Sequence, residues 1–163
     1  MVVVHPLDPV FDTDSQVLIL GTMPSPRSRE VGFYYGHPQN RFWKIMAQLF
    51  NEPVPINKAD RIDFLHRHHI ALWDVLASCE ISGAQDSSIR QPVANDLSRI
   101  LKNAPIGSIF ATGKTAEKWY NKLILPYTGQ PIIALPSTSP ANCAVSMEQL
   151  IAEYSLILQY LEG

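Results

Sequence analysis

Residues 34–40 bring together side chains that could hold a flat heterocyclic ring. Tyr34 and Tyr35 offer two neighbouring aromatic faces, and Asn40 ends the segment with an amide. Asp74 adds a carboxylate at the end of an apolar run further along the chain. Aromatic side chains stack on nucleobases, and carboxylates accept hydrogen bonds from ring N–H groups. Together these residue types indicate a site that recognises a ring.

Two loops rich in Pro and Ser follow apolar runs and are expected to border that site. The first is Gly-Thr-Met-Pro-Ser at 21–25, after the run at 17–20, and the second is Leu-Pro-Ser-Thr-Ser-Pro-Ala-Asn at 135–142, after the run at 132–135. Ligands of open α/β sheets bind outside the carboxyl ends of the strands. The two loops are therefore predicted to form opposite sides of one pocket.

Each of these residues also has a simpler interpretation. Tyr34 and Tyr35 could be packing residues, Asn40 could cap the helix that follows it, and Asp74 could be an ordinary loop residue. Their combination with two loops at strand ends favours the ring-recognition site.

Three other motifs have weaker functional interpretations. Thr112-Gly113-Lys114-Thr115 follows a strand, but a phosphate-binding loop needs glycine where Ser108 stands. Lys114 could still contact a DNA phosphate at a helix N-terminus. The histidines at 66–69 predict a solvated helix end. Ser137 and Ser139 have no evident His and Asp partners, and no G-x-S-x-G motif occurs.

Short apolar runs alternate with helical patterns along the chain. Strands are predicted at 17–20, 70–74, 108–112 and 132–135, and helices at 40–50, 58–66, 93–102, 114–122 and 146–161. This alternation predicts an α/β three-layer sandwich with a central four-stranded parallel sheet flanked by helices. Its length of 163 residues predicts a single domain over residues 1–163.

Composition restricts the partners and the cellular compartment. The net charge of −2 gives no global attraction to a polyanion, so DNA binding would need a local patch. No apolar run reaches the ~20 residues that span a bilayer, and no signal peptide is evident. Cys79 and Cys143 have no metal-ligand spacing and are expected to be reduced. We expect a cytoplasmic protein without a membrane partner.

The whole chain resembles the uracil-DNA glycosylase superfamily, most closely its hypoxanthine (deoxyinosine)-DNA glycosylase family. Residues 21–25 resemble the loop after that superfamily's first core strand, and 135–142 resemble the loop that presses into DNA. Residues 35–43 are similar to a base-stacking segment, and 72–76 to the segment that reads the flipped base. Met23 and Leu135 depart from the uracil-specific branches, which carry polar residues there.

The resemblance implies a role for each matching residue. Asn40 would be catalytic, and Tyr35 would stack on the extruded base while Asp74 accepts its N1–H. The remaining base-binding residues would be Gly21, Thr22 and Met23. Contacts to DNA would come from Pro24, Ser25, Ser137, Thr138, Ser139, Asn142 and Lys114.

The implied reaction is hydrolysis of the N-glycosidic bond of a deaminated base, most specifically hypoxanthine, in double-stranded DNA. It leaves an abasic site, requires no metal or organic cofactor, and could be carried out by a monomer. Two alternatives stay open: a uracil, xanthine or broad-specificity deaminated-base glycosylase, and a non-catalytic DNA-binding relative.

Overall fold

The computed structural model describes residues 2–82 and 85–161 of the chain. Its strands are β1 (Val2–Val4), β2 (Val17–Gly21), β3 (Ile70–Asp74), β4 (Leu76–Glu80), β5 (Arg90–Ala94), β6 (Ser108–Thr112) and β7 (Ile132–Leu135). Its α-helices are α1 (Pro26–Val31), α2 (Phe42–Phe50), α3 (Lys58–Arg67), α4 (Ser98–Leu101), α5 (Lys114–Leu123), α6 (Leu125–Thr128) and α7 (Met147–Tyr154). Short 3-10 helices span Asp86–Ser88 and Ser155–Tyr160.

A four-stranded parallel sheet with the order β3-β2-β6-β7 forms the centre of the fold. Every residue of β2 and β3 is buried, which requires cover on both faces of the sheet. Helix α3 packs on β3, and α5 packs on β6 and β7. The predicted α/β class and the four predicted strands are confirmed, with β2 one residue longer than expected.

Most of the predicted helices are also found, with shifted ends. Helix α2 begins at Phe42 rather than at residue 40, and α3 extends to Arg67. The helical pattern at 146–161 divides into α7 and the 3-10 helix Ser155–Tyr160. Ser146 caps α7, because its hydroxyl accepts the backbone N–H of Gln149 at 3.1 Å.

The helix predicted over 93–102 is wrong. Strand β5 occupies its first residues, and only Ser98–Leu101 is helical. Asn95 separates the two elements: its side-chain amide donates to the carbonyls of Asp74 at 2.9 Å and Leu76 at 3.1 Å. A side chain that bonds to distant backbone competes with helix formation at its own position.

A second sheet, which the sequence analysis did not predict, is antiparallel with the order β1-β4-β5. Strand β4 begins only two residues after β3 ends, so the chain passes directly from one sheet into the other. The N-terminal strand β1 pairs with β4, and this pairing brings the N-terminal segment towards the carboxyl end of β3.

Candidate active site

The carboxyl ends of the parallel strands bring several predicted site residues to one edge of the sheet. Gly21 ends β2 in register with Asp74 at the end of β3. On the other side, Thr112 at the end of β6 is in register with Leu135 of β7. The ladder continues beyond Asp74, because the N–H of Val75 donates to the Gly21 carbonyl at 2.8 Å. These four strand ends form the floor of the site.

Gly21 permits a close approach of other segments at the centre of this floor. A methyl group placed on its Cα would lie 2.5 Å from Asp74 Oδ1, 3.3 Å from the Tyr35 hydroxyl oxygen and 3.5 Å from Thr112 Oγ1. Three oxygen atoms from three separate segments thus converge on one point. Glycine is the residue that permits this approach, since any Cβ would displace the carboxylate.

Asp74 is buried, with 4% of its surface exposed, and its two carboxylate oxygens have different environments. Oδ2 lies 2.7 Å from Nε2 of His5. Oδ1 faces Gly21 and accepts no hydrogen bond from the residues that the structure describes. A carboxylate oxygen that accepts no hydrogen bond from the protein is available to a donor from a ligand.

Tyr35 lies beside Gly21 with one ring face covered by Phe42. Its ring stacks on Phe42 with centroids 4.0 Å apart and an angle of 12° between planes. Its hydroxyl lies 3.0 Å from Thr112 Oγ1. Burial raises the pKa of the Tyr35 phenol well above its ordinary value, and the Asp74 carboxylate raises it further, so the ring stays neutral.

The backbone of Tyr35 is in the left-handed region, with φ 53°. A bulky side chain in that conformation costs about 1–3 kcal/mol, and such residues cluster at functional sites. Tyr34, in contrast, does not offer a second aromatic face, so that expectation is wrong. Its ring is 2% exposed and packs edge-on against Phe33, while its hydroxyl donates to the Asp8 carbonyl at 2.7 Å.

Asn40 has an amide whose orientation is fixed by its hydrogen bonds. Its Oδ1 accepts the backbone N–H of Phe42 at 2.9 Å and the hydroxyl of Thr138 at 2.8 Å. A carbonyl oxygen has two lone pairs, and here both have donors. The Nδ2 group of Asn40 is therefore the part of the amide that can act on a ligand, and it can only donate.

Thr138 does not offer its side chain to DNA. The residue is 1% exposed, and its hydroxyl is donated to Asn40, so its predicted role as a DNA contact is corrected to a positioning role. The backbone strengthens the same connection, since the N–H of Arg41 donates to the Thr138 carbonyl at 3.1 Å.

The side chain of Arg41 holds the second loop in place. Its guanidinium donates to the carbonyls of Val145 at 2.6 Å, Asn142 at 2.9 Å and Ser139 at 3.3 Å. A guanidinium carries five N–H donors in a rigid planar arrangement, which suits it to fix several carbonyls at once. Residues 40 and 41 thus connect the segment that carries Tyr35 to the loop at 135–142.

The first loop, at 22–25, leads from β2 into α1. The Thr22 carbonyl accepts the N–H of Leu76 at 3.1 Å, which extends the sheet contact. Met23 packs partly buried against the core, and Pro24 is buried. Ser25 caps α1, its hydroxyl oxygen 3.1 Å from the backbone nitrogen of Ser28. The loop is therefore held at both ends.

In the second loop, Ser137, Ser139 and Asn142 are partly exposed, although each also makes a local hydrogen bond. The Ser137 hydroxyl accepts the N–H of Ser139, and the Ser139 hydroxyl accepts that of Ala141. A hydroxyl that accepts in this way can still donate its own proton. Asn142 Nδ2 donates to the Ser137 carbonyl at 2.9 Å.

Lys114 begins α5 and is exposed. The preceding Gly113 has φ 107°, a conformation that favours glycine, and its Cα lies against Ser137 of the second loop. Lys114 therefore directly follows Gly113, the residue that contacts Ser137. This position is compatible with the predicted role of Lys114 beside DNA.

The histidines at 66–69 are more buried than a solvated helix end would be. His68 stacks on Phe50, with centroids 3.9 Å apart, and makes a short contact with Glu52. His66 Nε2 and His69 Nδ1 are buried without a hydrogen-bond partner. Within residues 2–82 and 85–161 no group of three or more His, Cys, Asp or Glu side chains could hold a metal ion. In the same residues no helix is long and apolar enough to cross a membrane.

Sequence reasoning missed three residues of the site. His5 lies 69 positions from Asp74, and only the pairing of β1 with β4 brings them together. Arg41 and Thr112 gave no separate signal, although Arg41 follows Asn40 directly and Thr112 ends a predicted strand. A polar residue at the carboxyl end of a predicted parallel strand, as at Asp74, was the available clue for Thr112.

The architecture and the site define a class: an α/β protein with a parallel sheet whose carboxyl ends bring a carboxylate, a phenol and a hydroxyl to one point. Comparison with known proteins gives the family. The model of the uracil DNA glycosylase superfamily matches residues 9–162. The chain therefore belongs to that superfamily, as its motifs predicted.

Individual relatives agree with this assignment. The chain is similar to the hypoxanthine DNA glycosylase of Methanosarcina barkeri, with 33% identity over 136 residues that cover 82% of this chain and 85% of the relative. The hypoxanthine DNA glycosylase of Methanosarcina acetivorans is 32% identical over 135 residues, or 82% and 84% of the two chains. A solution NMR structure of a candidate uracil DNA glycosylase from Methanosarcina acetivorans matches with a TM-score of 0.84 and 30% identity, covering 100% of both chains.

Proposed function

We propose that this member of the superfamily is a hypoxanthine DNA glycosylase. It turns a deoxyinosine out of duplex DNA and hydrolyses the bond between base and sugar, which leaves an abasic site. Two relatives carry this activity in their names. The single observation that supports it most is the position of Asp74 Oδ1, which lies against Gly21 together with the Tyr35 hydroxyl, while Oδ2 of the same carboxylate bonds to His5.

Asp74 gives a chemical basis for selecting the base. Hypoxanthine carries a hydrogen on N1 and can donate it to Oδ1, whereas adenine has a lone pair at N1 that a carboxylate repels. An unpaired buried acceptor costs about 1–3 kcal/mol. Binding of adenine, which leaves Oδ1 unpaired, is therefore disfavoured by about that amount. Guanine also has an N1–H, so the fit around C2 must exclude its amino group.

Tyr35 provides the stacking surface for the extruded ring. Because Phe42 supports one face of the phenol, the ring is held rigidly and the base stacks on the other face. Stacking of a base on an aromatic side chain contributes roughly 1–3 kcal/mol. Hypoxanthine opposite thymine is a mispair, which lowers the cost of turning the nucleotide out of the duplex.

Asn40 assists the chemical step as a hydrogen-bond donor. In hydrolysis the oxygen of water bonds to C1′ of the sugar, the bond from C1′ to N9 breaks, and its electron pair moves onto the purine. The water then loses a proton, and the released base gains one. Since Oδ1 of Asn40 already has two donors, Nδ2 is the group that can stabilise the negative charge on the departing base.

The remaining groups support this reaction. Backbone N–H groups of Thr22, Met23 and Ser25 add to the stabilisation of negative charge, a role that the Met23 thioether and the Leu135 side chain cannot take. The groups that converge at Gly21 are a carboxylate, a phenol and a hydroxyl, none of which is an amine nucleophile. The enzyme is therefore monofunctional, and one copy of the chain supplies every group named here.

Contacts to the DNA backbone come from the loop ends around the pocket. The partly exposed Ser137, Ser139 and Asn142 can donate to phosphate oxygens, and the exposed Lys114 adds a positive charge. The Ser25 hydroxyl instead donates to Ser28 Oγ, so Ser25 would shape the loop. Pro24 and Thr138 are buried and shape the two loops instead. Such backbone contacts position the duplex without reading its sequence.

The test is a panel of duplexes that each carry one lesion: deoxyinosine, deoxyuridine or deoxyxanthosine, with an undamaged control. After incubation, alkali cleaves the strand wherever an abasic site has formed. Cleavage of the deoxyinosine duplex above all others is expected. Preferential cleavage of the uracil or xanthine duplex, or of all three equally, would replace the proposed specificity. Binding without any cleavage would indicate the non-catalytic alternative.

A further inference from the structure

His5 is brought to the site by the antiparallel sheet. Strand β1 pairs with β4, and the next residue continues the pairing, because the His5 N–H donates to the Ala77 carbonyl at 2.7 Å. The side chain of His5 is 3% exposed. Its ring lies 6.5 Å from the ring of Trp73, edge to face, and 6.0 Å from the ring of Tyr34. The imidazole is therefore held on several sides.

The hydrogen bonds of His5 fix which ring nitrogen carries the proton. The backbone N–H of Leu7 donates to Nδ1, with 3.2 Å between the two nitrogens. A backbone N–H can only donate, so Nδ1 must be the unprotonated acceptor. The proton is then on Nε2, which donates it to Asp74 Oδ2 at 2.7 Å. His5 is a neutral imidazole that acts as a donor to the carboxylate.

The backbone of Asp74 is fixed from another direction. Asn95 Nδ2 donates to the Asp74 carbonyl, and the N–H of Asn95 donates to the Val75 carbonyl at 2.8 Å. The carboxylate itself could still rotate about its bond to Cβ. Within residues 2–82 and 85–161, His5 is the partner that bonds to it and opposes that rotation.

We propose that His5 is the positioning residue for base selection: its Nε2–H holds Oδ2 of Asp74 so that Oδ1 faces the N1–H of the extruded base. This inference rests on the proposed function, because Oδ1 reads the base only if the pocket takes one. The arrangement follows the general pattern in which a second partner fixes the orientation of a functional side chain. His5 itself does not touch the base.

Two variants separate this role from packing. His5→Gln retains an N–H donor at about the position of Nε2, whereas His5→Leu fills similar space without a donor. We expect His5→Leu to lower the single-turnover rate of hypoxanthine release about 10–100-fold and to reduce the preference for hypoxanthine over adenine. The loss in His5→Leu corresponds to the removal of one hydrogen bond to a charged group. His5→Gln should stay within about threefold of the wild-type rate, because it keeps that hydrogen bond.

Two further measurements complete the test. Affinity for a duplex with a tetrahydrofuran abasic site should be equal in all three proteins, since that ligand has no base for Asp74 to read. Nitrogen-15 NMR of the imidazoles should show His5 with its proton on Nε2, and His5→Gln assigns the signal by removing it. Wild-type activity on deoxyinosine, measured alongside, tests the proposed function separately.

The outcomes are distinguishable. If the wild type is active and His5→Leu is fully active, the positioning role is overturned and the proposed function stands. Equal loss of activity in His5→Leu and His5→Gln has the same meaning. Weaker binding of the abasic duplex by His5→Leu would show general disruption and also overturn it. If His5→Leu does not fold, the nitrogen-15 NMR of the wild type still tests the proposal. A His5 proton on Nδ1, or on both nitrogens, overturns the proposed role of His5. An inactive wild type overturns the proposed function and this inference with it.

Discussion

Thr138 donates its hydroxyl proton to Oδ1 of Asn40 over 2.8 Å, although 98 positions separate the two residues in the sequence. The N–H of Phe42 donates to the same oxygen at 2.9 Å. Together these bonds turn the amide so that Nδ2 is its free end. The orientation of the predicted catalytic group is thus set by the loop at 135–142, which the superfamily resemblance associates with DNA.

Asn40→Asp tests whether the donor on that residue matters. Aspartate keeps an oxygen for Thr138 and Phe42 but has no N–H to donate to the departing base. We expect single-turnover hypoxanthine release to fall about 10²–10³-fold, the loss typical of removing one preorganised donor. Asn40→Ala should lose a similar factor. Retention of near wild-type rates by Asn40→Asp would contradict the donor role, and thermal unfolding of each variant checks that the fold is intact.

Tyr35→Ala should weaken excision more than it weakens DNA binding. Removing the ring takes away base stacking worth roughly 1–3 kcal/mol, so we expect the excision rate to fall about 10–100-fold. Affinity for undamaged duplex, measured by fluorescence anisotropy, should change little. Tyr35→Phe is the matched control, because it keeps the stacking face and loses only the contact with Thr112. An equal loss of excision and of duplex affinity in Tyr35→Ala would indicate general misfolding instead.

Asp74→Asn should relax the choice of base. An amide can present either an acceptor or a donor to N1, so adenine is no longer rejected by the repulsion of two acceptors. We expect the ratio of hypoxanthine to adenine excision to fall by about 10-fold, in line with the cost of one unpaired buried acceptor. The measurement compares single-turnover rates on matched duplexes. An unchanged ratio would show that other groups read the base.

Gly21→Ala should displace the Asp74 carboxylate while the fold survives. The new methyl group would lie 2.5 Å from Asp74 Oδ1, so the carboxylate must move out of the orientation proposed for reading the base. We expect at least a tenfold loss of excision, with a stability cost of about 1–3 kcal/mol from the local crowding. Gly107→Ala is the control, since no atom lies within 4 Å of its added methyl group. Normal excision by Gly21→Ala would place the base elsewhere.

The parallel sheet could be predicted because its strands carry a local signal. Each is a short apolar run between turn residues, and burial on both faces makes that run continuous. The antiparallel sheet gave no such signal. Its strand β5 reads Arg-Gln-Pro-Val-Ala and is mostly exposed, so its pairing with β4 depends on tertiary contacts rather than on its own pattern.

Site residues at strand ends or within motifs could be predicted from the sequence. Residues that reach the site only through long-range contacts could not. Asp74 ends a predicted strand and Gly21 directly follows one, and the structure places the two residues side by side. The partnership of His5 with Asp74 requires the pairing of β1 with β4, which no local pattern indicates. Tyr34 and Tyr35 have the same side chain and adjacent positions, yet the backbone at φ 53° directs them into different environments.

Alkaline pH should destabilise the fold through its buried tyrosines. Burial raises the pKa of Tyr34, Tyr35 and Tyr154 above their ordinary values. In the unfolded chain these phenols titrate near pH 10, so above that pH the unfolded state has lost protons that the native state retains. The free energy of unfolding is then unaffected below about pH 9 and falls as pH rises beyond 10, by about 1.4 kcal/mol per pH unit for each tyrosine.

Tyr154→Phe isolates one of these contributions. The variant loses the hydrogen bond from the Tyr154 hydroxyl to the Pro136 carbonyl, 2.5 Å long, which lowers stability by a similar amount at every pH up to 9. Between pH 10 and 11 its stability should fall less steeply than that of the wild type, by about 1.4 kcal/mol per pH unit, because one fewer buried phenol resists ionisation. Urea unfolding at a series of pH values measures both slopes. Parallel curves for the two proteins would show that Tyr154 titrates alike in the native and unfolded states.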